Sequence, residues 1–131
     1  MNILFICKYN RFRSKVAEAL FNKYNQNREI VVKSAGLRID FSNPFVAESV
    51  INVLAEKKAK VADEKSSLIN ENTIEWADKV IVVANNVDPE IFRGKDVDVW
   101  KITDIDQSDI EGIRVRINDI ESRIKDFVNR L

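Results

Sequence analysis

Three residues near the start of the chain have the types and spacing needed to handle a phosphate group. Cys7, the only cysteine in 131 residues, is followed after a gap of five by Arg13 and then by Ser14. A cysteine thiolate is a strong nucleophile, and an arginine fork can grip two oxygens of a tetrahedral anion at once. The intervening residues, Lys8, Tyr9, Asn10, Arg11 and Phe12, would supply backbone N–H groups converging on that anion. If a helix begins at Arg13, its first N–H groups and its dipole add positive potential at the same place. That field favours the thiolate form of Cys7. Ser14 can donate a hydrogen bond to the sulfur and stabilise it when it later leaves. Asn10 tolerates left-handed backbone and can brace neighbouring turns.

Displacement of an alkoxide or phenoxide also requires a proton donor. The chain contains no histidine, so that donor must be a carboxylate, lysine, tyrosine or the thiol. Aspartates stand in two loops that follow apolar runs: Asp88 just before Pro89, and Asp104 with Asp106 in the acidic stretch 103–109. Asp88 is equally well explained as a helix cap.

The surrounding pattern indicates how these residues are positioned. Asn2–Ile6 is short and uniformly apolar, as expected for a central parallel strand, and it delivers Cys7 at its end. Val16, Ala17, Leu20, Phe21 and Tyr24 recur at helical spacing, predicting a helix over 13–25. A second strand over 29–33 stops at Ser34-Ala35-Gly36, where the glycine allows a tight turn or close backbone approach. Ser42 or Asn43 is expected to cap a helix with Pro44 in its first turn. The lysine-bearing stretch 57–65 reads as a solvated connection. One or two helical turns over 72–77 precede a third strand, Val80–Val83. A short helix near 90–92 and an edge strand over 97–102 follow. The last helix, about 109–130, carries Ile113, Ile117, Ile120, Ile124, Phe127 and Leu131 as one apolar stripe. Alternating strands and helices predict an α/β domain over 1–131, with a four-stranded parallel sheet between helical layers on both faces. Loops after the strands then share one edge, gathering Cys7, Ser34, Asn85 and Asp104.

The segment Cys7–Ser14 resembles the phosphate-binding loop of the low-molecular-weight protein tyrosine phosphatase superfamily, which also contains thiol-dependent arsenate reductases. Ser34-Ala35-Gly36, Asn43-Pro44 and Trp76-Ala77-Asp78-Lys79 follow in the order that the resemblance implies, and it spans essentially the whole chain. It implies a phosphocysteine mechanism with an aspartate general acid and with Ser34 in a supporting role. Asp88-Pro89 matches the dipeptide that carries the family's acid, but that acid follows the fourth strand. Asp104 is therefore the favoured acid, ahead of Asp106 and Asp88, with Ile105 standing where proline is usual. Two departures lie in the loop itself. Tyr9 replaces a glycine, either walling the pocket mouth or packing on a neighbouring loop. Phe12 replaces a second cysteine that could protect the nucleophile as a disulfide.

Composition narrows the partners. Lysine and arginine total 21, as do aspartate and glutamate. A neutral chain is not the usual binder of nucleic acid. No apolar run reaches membrane-spanning length, and the start lacks a signal-peptide pattern. A lone cysteine suits a reducing, cytoplasmic setting. The expected substrate is a phosphorylated protein or small phosphomonoester, and the mechanism calls for no metal and no cofactor. An intramolecular cysteine relay, as in some arsenate reductases, is excluded by the cysteine count. Arsenate reduction with an external thiol and a non-catalytic oxyanion-binding module stand as alternatives.

Overall fold

The computed structural model describes residues 1–131 as alternating strands and helices. Strand β1 (Asn2–Cys7) leads into helix α1 (Arg13–Tyr24), followed by β2 (Val31–Gly36), α2 (Glu48–Glu56) and α3 (Glu71–Trp76). Then come β3 (Lys79–Val83), a 3-10 turn (Pro89–Phe92), β4 (Asp96–Trp100) and the long α4 (Ile110–Asn129). The four strands pair in the order β2-β1-β3-β4, all parallel. As its apolar run predicts, β1 is internal, and β4 is an edge, as the polar–apolar alternation of 97–102 predicts.

Ile3 and Phe5 face one side of the sheet, in the larger core built with α1, α2 and α4. Leu4, Ile6 and Cys7 belong to the smaller core on the other side, with Phe92, Ala77 and partly buried residues of α3. Both faces are thus covered, which is what an all-parallel sheet requires. The stripe of α4 is buried from Ile113 to Phe127, but Leu131, expected to continue it, lies beyond the end of the helix and is exposed. Phe5, Phe21, Phe127 and Trp100 close a ring of four ring contacts with centroids 5.9 to 6.2 Å apart. Each such pair adds about 0.5–1.5 kcal/mol beyond burial, and together they tie α1 and α4 to the ends of β1 and β4. No helix is long and apolar enough to cross a membrane.

Two expectations from sequence need correction. Neither Ser42 nor Asn43 caps a helix: α2 starts at Glu48, after Ala47. The Pro44–Val46 segment is instead extended and hydrogen-bonded to the stretch 64–66, with Ser66 N–H donating to Pro44 and Val46 N–H to Glu64. That pairing satisfies backbone groups which a helix would have used internally. Nor is 57–65 merely a solvated connection. Ala59 and Val61 are buried, and the following residues deliver Ser66 and Ser67 to the loop after β1. Strand β2 also runs three residues beyond its expected end, because Ser34, Ala35 and Gly36 pair with Phe5, Ile6 and Cys7.

Candidate active site

The loop after β1 is built from unusual backbone. Asn10 takes a left-handed conformation, φ 52°, one of the few positions where asparagine is favoured over most residues. Its buried side chain then works as a brace. Nδ2 donates to Ser14 Oγ at 2.7 Å and to Ser34 Oγ at 3.0 Å. Oδ1 accepts from the Ser67 amide at 2.9 Å, and the Asn10 carbonyl accepts from Ser66 Oγ at 3.1 Å. The loop is therefore held from α1, from β2 and from the 64–67 stretch at once.

Gly36 lets this happen. Leu37 and Arg38 donate their N–H groups to the carbonyls of Cys7 and Lys8, continuing the β2 ladder into the loop. A Cβ on Gly36 would lie 2.8 Å from the Tyr9 carbonyl carbon and 2.9 Å from the Asn10 nitrogen. These are backbone atoms, so the loop itself must move. Gly36→Ala is expected to lower kcat/KM about tenfold or more through that misplacement. The melting temperature should fall by only the few degrees that overpacking of about 1–3 kcal/mol implies. An unchanged kcat/KM would show that the loop absorbs the methyl group.

None of the N–H groups of Lys8 through Ser14 donates to another atom of the protein. Seven consecutive backbone donors following Cys7 are thus left without a protein partner, the kind of arrangement from which an anion site can be built. Cys7 Sγ lies 2.9 Å from Ser14 Oγ. Because Asn10 already donates to that hydroxyl, the Ser14 proton is free to point at the sulfur. Arg13 is almost wholly buried, at 2% exposure. Its Nη1 donates to the Ile102 carbonyl at 3.0 Å and to Asn86 Oδ1 at 3.2 Å. Its Nε and Nη2 make no hydrogen bond, and Nη2 lies 3.9 Å from Asp104 Oδ2.

A small cavity of about 30 Å³ opens over the sulfur, lined by Cys7, Tyr9 and Arg11 to Arg13 and, from the loop after β4, by Asp104 and Gln107. The three acidic candidates separate here. Asp104 lines the cavity. Asp106 does not, and hydrogen bonds from the Ser108 hydroxyl and amide hold its carboxyl below the usual range. Asp88 caps the 3-10 turn through a 3.0 Å bond from the Glu90 amide. Lys8 sits over the Tyr9 ring at 5.5 Å. Tyr9 lines the cavity and also an adjoining groove beside Ile39, Phe41 and Leu68. Phe12 is core.

Behind the loop lies a polar cluster that spacing alone does not reveal. Ser34 Oγ donates to Glu18 Oε1 at 2.8 Å, extending a chain of hydrogen bonds from Cys7 through Ser14, Asn10 and Ser34 to Glu18. Burial raises the Glu18 carboxyl above its ordinary value. Burial also lowers the neighbouring Lys15 ammonium, which donates to the carbonyls of Asp63 and Lys65. Asn86 and Gln107 are likewise invisible in the sequence pattern, since they meet the loop only once β3 and β4 are in register. Asn85, the residue expected at this edge, instead uses its amide to bond the Ile102 carbonyl.

A strand-to-helix loop of free amides next to a thiol, with a buried arginine beside it, is the candidate site on this parallel α/β scaffold. Comparison with known proteins gives the class its family. The model of the low molecular weight phosphotyrosine protein phosphatase family matches residues 2–131, and the chain belongs to that family. No curated protein matches the sequence significantly. Among solved structures, an arsenate reductase from Archaeoglobus fulgidus is similar at 29% identity and TM-score 0.78, covering 97% of this chain and 98% of that one. A low molecular weight protein tyrosine phosphatase from T. tengcongensis superposes at TM-score 0.87 with 18% identity, covering 100% and 99%. An arginine phosphatase from Geobacillus stearothermophilus gives TM-score 0.78 at 24% identity, covering 98% and 91%. The last two establish a common fold and nothing finer.

Proposed function

We propose that the protein is a cysteine-dependent phosphomonoester hydrolase, acting on phosphotyrosine in proteins by a double displacement. The observation that supports this reading best is the run of unpaired amides from Lys8 to Ser14 following Cys7, with Arg13 offering the one free edge of its guanidinium, Nε and Nη2. In the first step the Cys7 thiolate attacks phosphorus in line. The loop amides and Arg13 hold the equatorial oxygens as charge builds on them. The S–P bond forms, the P–O bond breaks, and Asp104 gives its proton to the leaving oxygen. In the second step water attacks phosphorus, its proton passes to Asp104, and the thiolate leaves toward the Ser14 hydroxyl. The lone thiol suits a reducing compartment such as the cytoplasm.

The test is hydrolysis of p-nitrophenyl phosphate and of a phosphotyrosine peptide without added metal. Asp104→Asn is expected to lower kcat about a hundredfold on the aryl ester. An unchanged kcat would remove Asp104 from the mechanism. Absence of turnover in the wild type, together with arsenate reduction supported by an external thiol, would replace the hydrolase reading by a reductase one. Oxyanion binding with neither activity would leave a binding module.

A further inference from the structure

We infer that Arg116 of α4 is the positioning residue for the general acid, setting Asp104 at the cavity by clamping the residue before it. The inference rests on the phosphatase reading with Asp104 as proton donor. The stretch 103–105 makes no backbone-to-backbone hydrogen bond, although it carries the one carboxylate that lines the cavity. The Asp104 side chain is 49% exposed. Its Oδ1 accepts from the neighbouring Ile105 amide at 2.9 Å, and its Oδ2 lies 3.9 Å from Arg13 Nη2. The first bond stays within the loop, and the second separation is too long for a hydrogen bond. Neither fixes the loop to the scaffold.

Arg116 does. Its Nε donates to the Thr103 carbonyl at 2.9 Å and its Nη2 to the Thr103 hydroxyl at 2.9 Å. Its Nη1 donates to the Gly112 carbonyl at 3.0 Å, one turn earlier in the same helix, which holds the guanidinium plane in place. Arg114 and Arg123 of α4 pair with the carboxylates of Glu56 and Asp119, the ordinary use of a surface arginine. Arg116 instead engages all three of its nitrogens with two carbonyls and a hydroxyl. The Thr103 carbonyl shares a rigid peptide plane with the Asp104 nitrogen, so the fork fixes the direction in which the chain enters Asp104. On the other side, Ile105 packs on the larger core. Helix α4 comes so near it that a Cβ on Gly112 would lie 2.9 Å from Ile105 Cγ1. The acid thus stands between two attachments to one helix. The apolar one sets distance, and the planar fork sets orientation. A general acid works only within hydrogen-bond reach of the leaving oxygen, and a misplacement of about 1 Å can cost about a hundredfold.

Arg116→Met removes the fork and keeps a long side chain. The readout is kcat/KM, which covers the steps up to departure of the leaving group, on two aryl esters. Phenoxide is a far more basic leaving group than p-nitrophenoxide and depends more on protonation. The variant is expected to lose about thirtyfold on phenyl phosphate and no more than about threefold on p-nitrophenyl phosphate. In an Asp104→Asn background the same substitution should cost less than about twofold on phenyl phosphate, because the clamp acts only through the carboxylate. Thr103→Val deletes one of the two acceptors at nearly constant shape. It should lose about threefold on phenyl phosphate and less on p-nitrophenyl phosphate, and it carries the test if Arg116→Met does not fold. Inorganic phosphate should raise the melting temperature of Arg116→Met as it does that of the wild type, since the anion cradle is untouched. The inference is overturned by equal losses on the two esters, by an unchanged kcat/KM on phenyl phosphate, or by missing phosphate protection. A further loss of about tenfold in the Asp104→Asn background overturns it as well. A wild type that releases no p-nitrophenolate, or an Asp104→Asn variant as active as the wild type on phenyl phosphate, overturns the underlying reading and the inference with it.

Discussion

Cys7→Ser is expected to lower turnover of p-nitrophenyl phosphate by about 10⁵-fold or more while leaving oxyanion binding intact. A serine hydroxyl is far less acidic than a thiol, and the field of the loop is too weak to ionise it. The Ser14 hydroxyl, 2.9 Å from the sulfur, would then bond a neutral oxygen and no longer stabilise an anion. The cradle itself does not depend on sulfur, because its donors are the amides of residues 8–14 and the Arg13 guanidinium. Inorganic phosphate should accordingly raise the melting temperature of the variant at least as much as that of the wild type, by mass action on the native state. Because Cys7 is the sole cysteine, alkylation with iodoacetate gives an independent check: loss of activity must follow one modified residue, and phosphate must protect it. Residual activity at a tenth of the wild-type rate would mean that the nucleophile lies elsewhere.

Arg13→Lys is expected to cost about 10³-fold in kcat, although it preserves charge. The guanidinium performs two tasks in one plane. Its Nη1 is spent on the Ile102 carbonyl and Asn86, at 3.0 and 3.2 Å, and this anchorage leaves Nε and Nη2 for the substrate. A lysine ammonium is a single point and cannot satisfy a buried carbonyl while presenting two parallel donors. The loss should therefore appear in kcat more than in KM, since bidentate contact matters most when charge spreads over the equatorial oxygens. A change confined to KM would show that Arg13 serves ground-state binding only. Phosphate binding by the variant, followed through thermal protection, separates a misfolded loop from a folded but inactive one.

The parts of the molecule legible in sequence are those whose physics is local. The apolar run 2–6, the periodicity of 16–24 and the stripe of α4 each match one element with boundaries shifted by a residue or two. The candidate phosphate loop is legible for the same reason, since Cys7, Asn10, Arg13 and Ser14 lie within one short stretch and three of them hydrogen-bond one another. Pro44 misled because proline at a helix start and proline in an extended segment look alike until the partner segment 64–66 is known. Asn86, Gln107 and Glu18 escaped because their contacts come from three elements far apart in the chain. Their neighbours near the loop are fixed by strand register and crossover, which no local spacing encodes. Gly36 was legible as a special position, while the identity of the backbone it approaches was not.

The strand order also has a consequence for how the protein is made. Strand β1 precedes both of its neighbours in the chain, yet it is sandwiched between β2 and β3, and β3 does not begin until Lys79. At about 5–20 residues per second, the nascent chain carries Ile3–Ile6 for seconds with one flank of hydrogen-bonding groups unmatched. Throughout that interval the most apolar segment near the nucleophile is an open template for pairing with another chain. Residues 13–24 can coil over one face early, since helices form from local contacts, but the second flank waits for a long-range closure. The second flank of β1 is therefore closed only after β3 has been made.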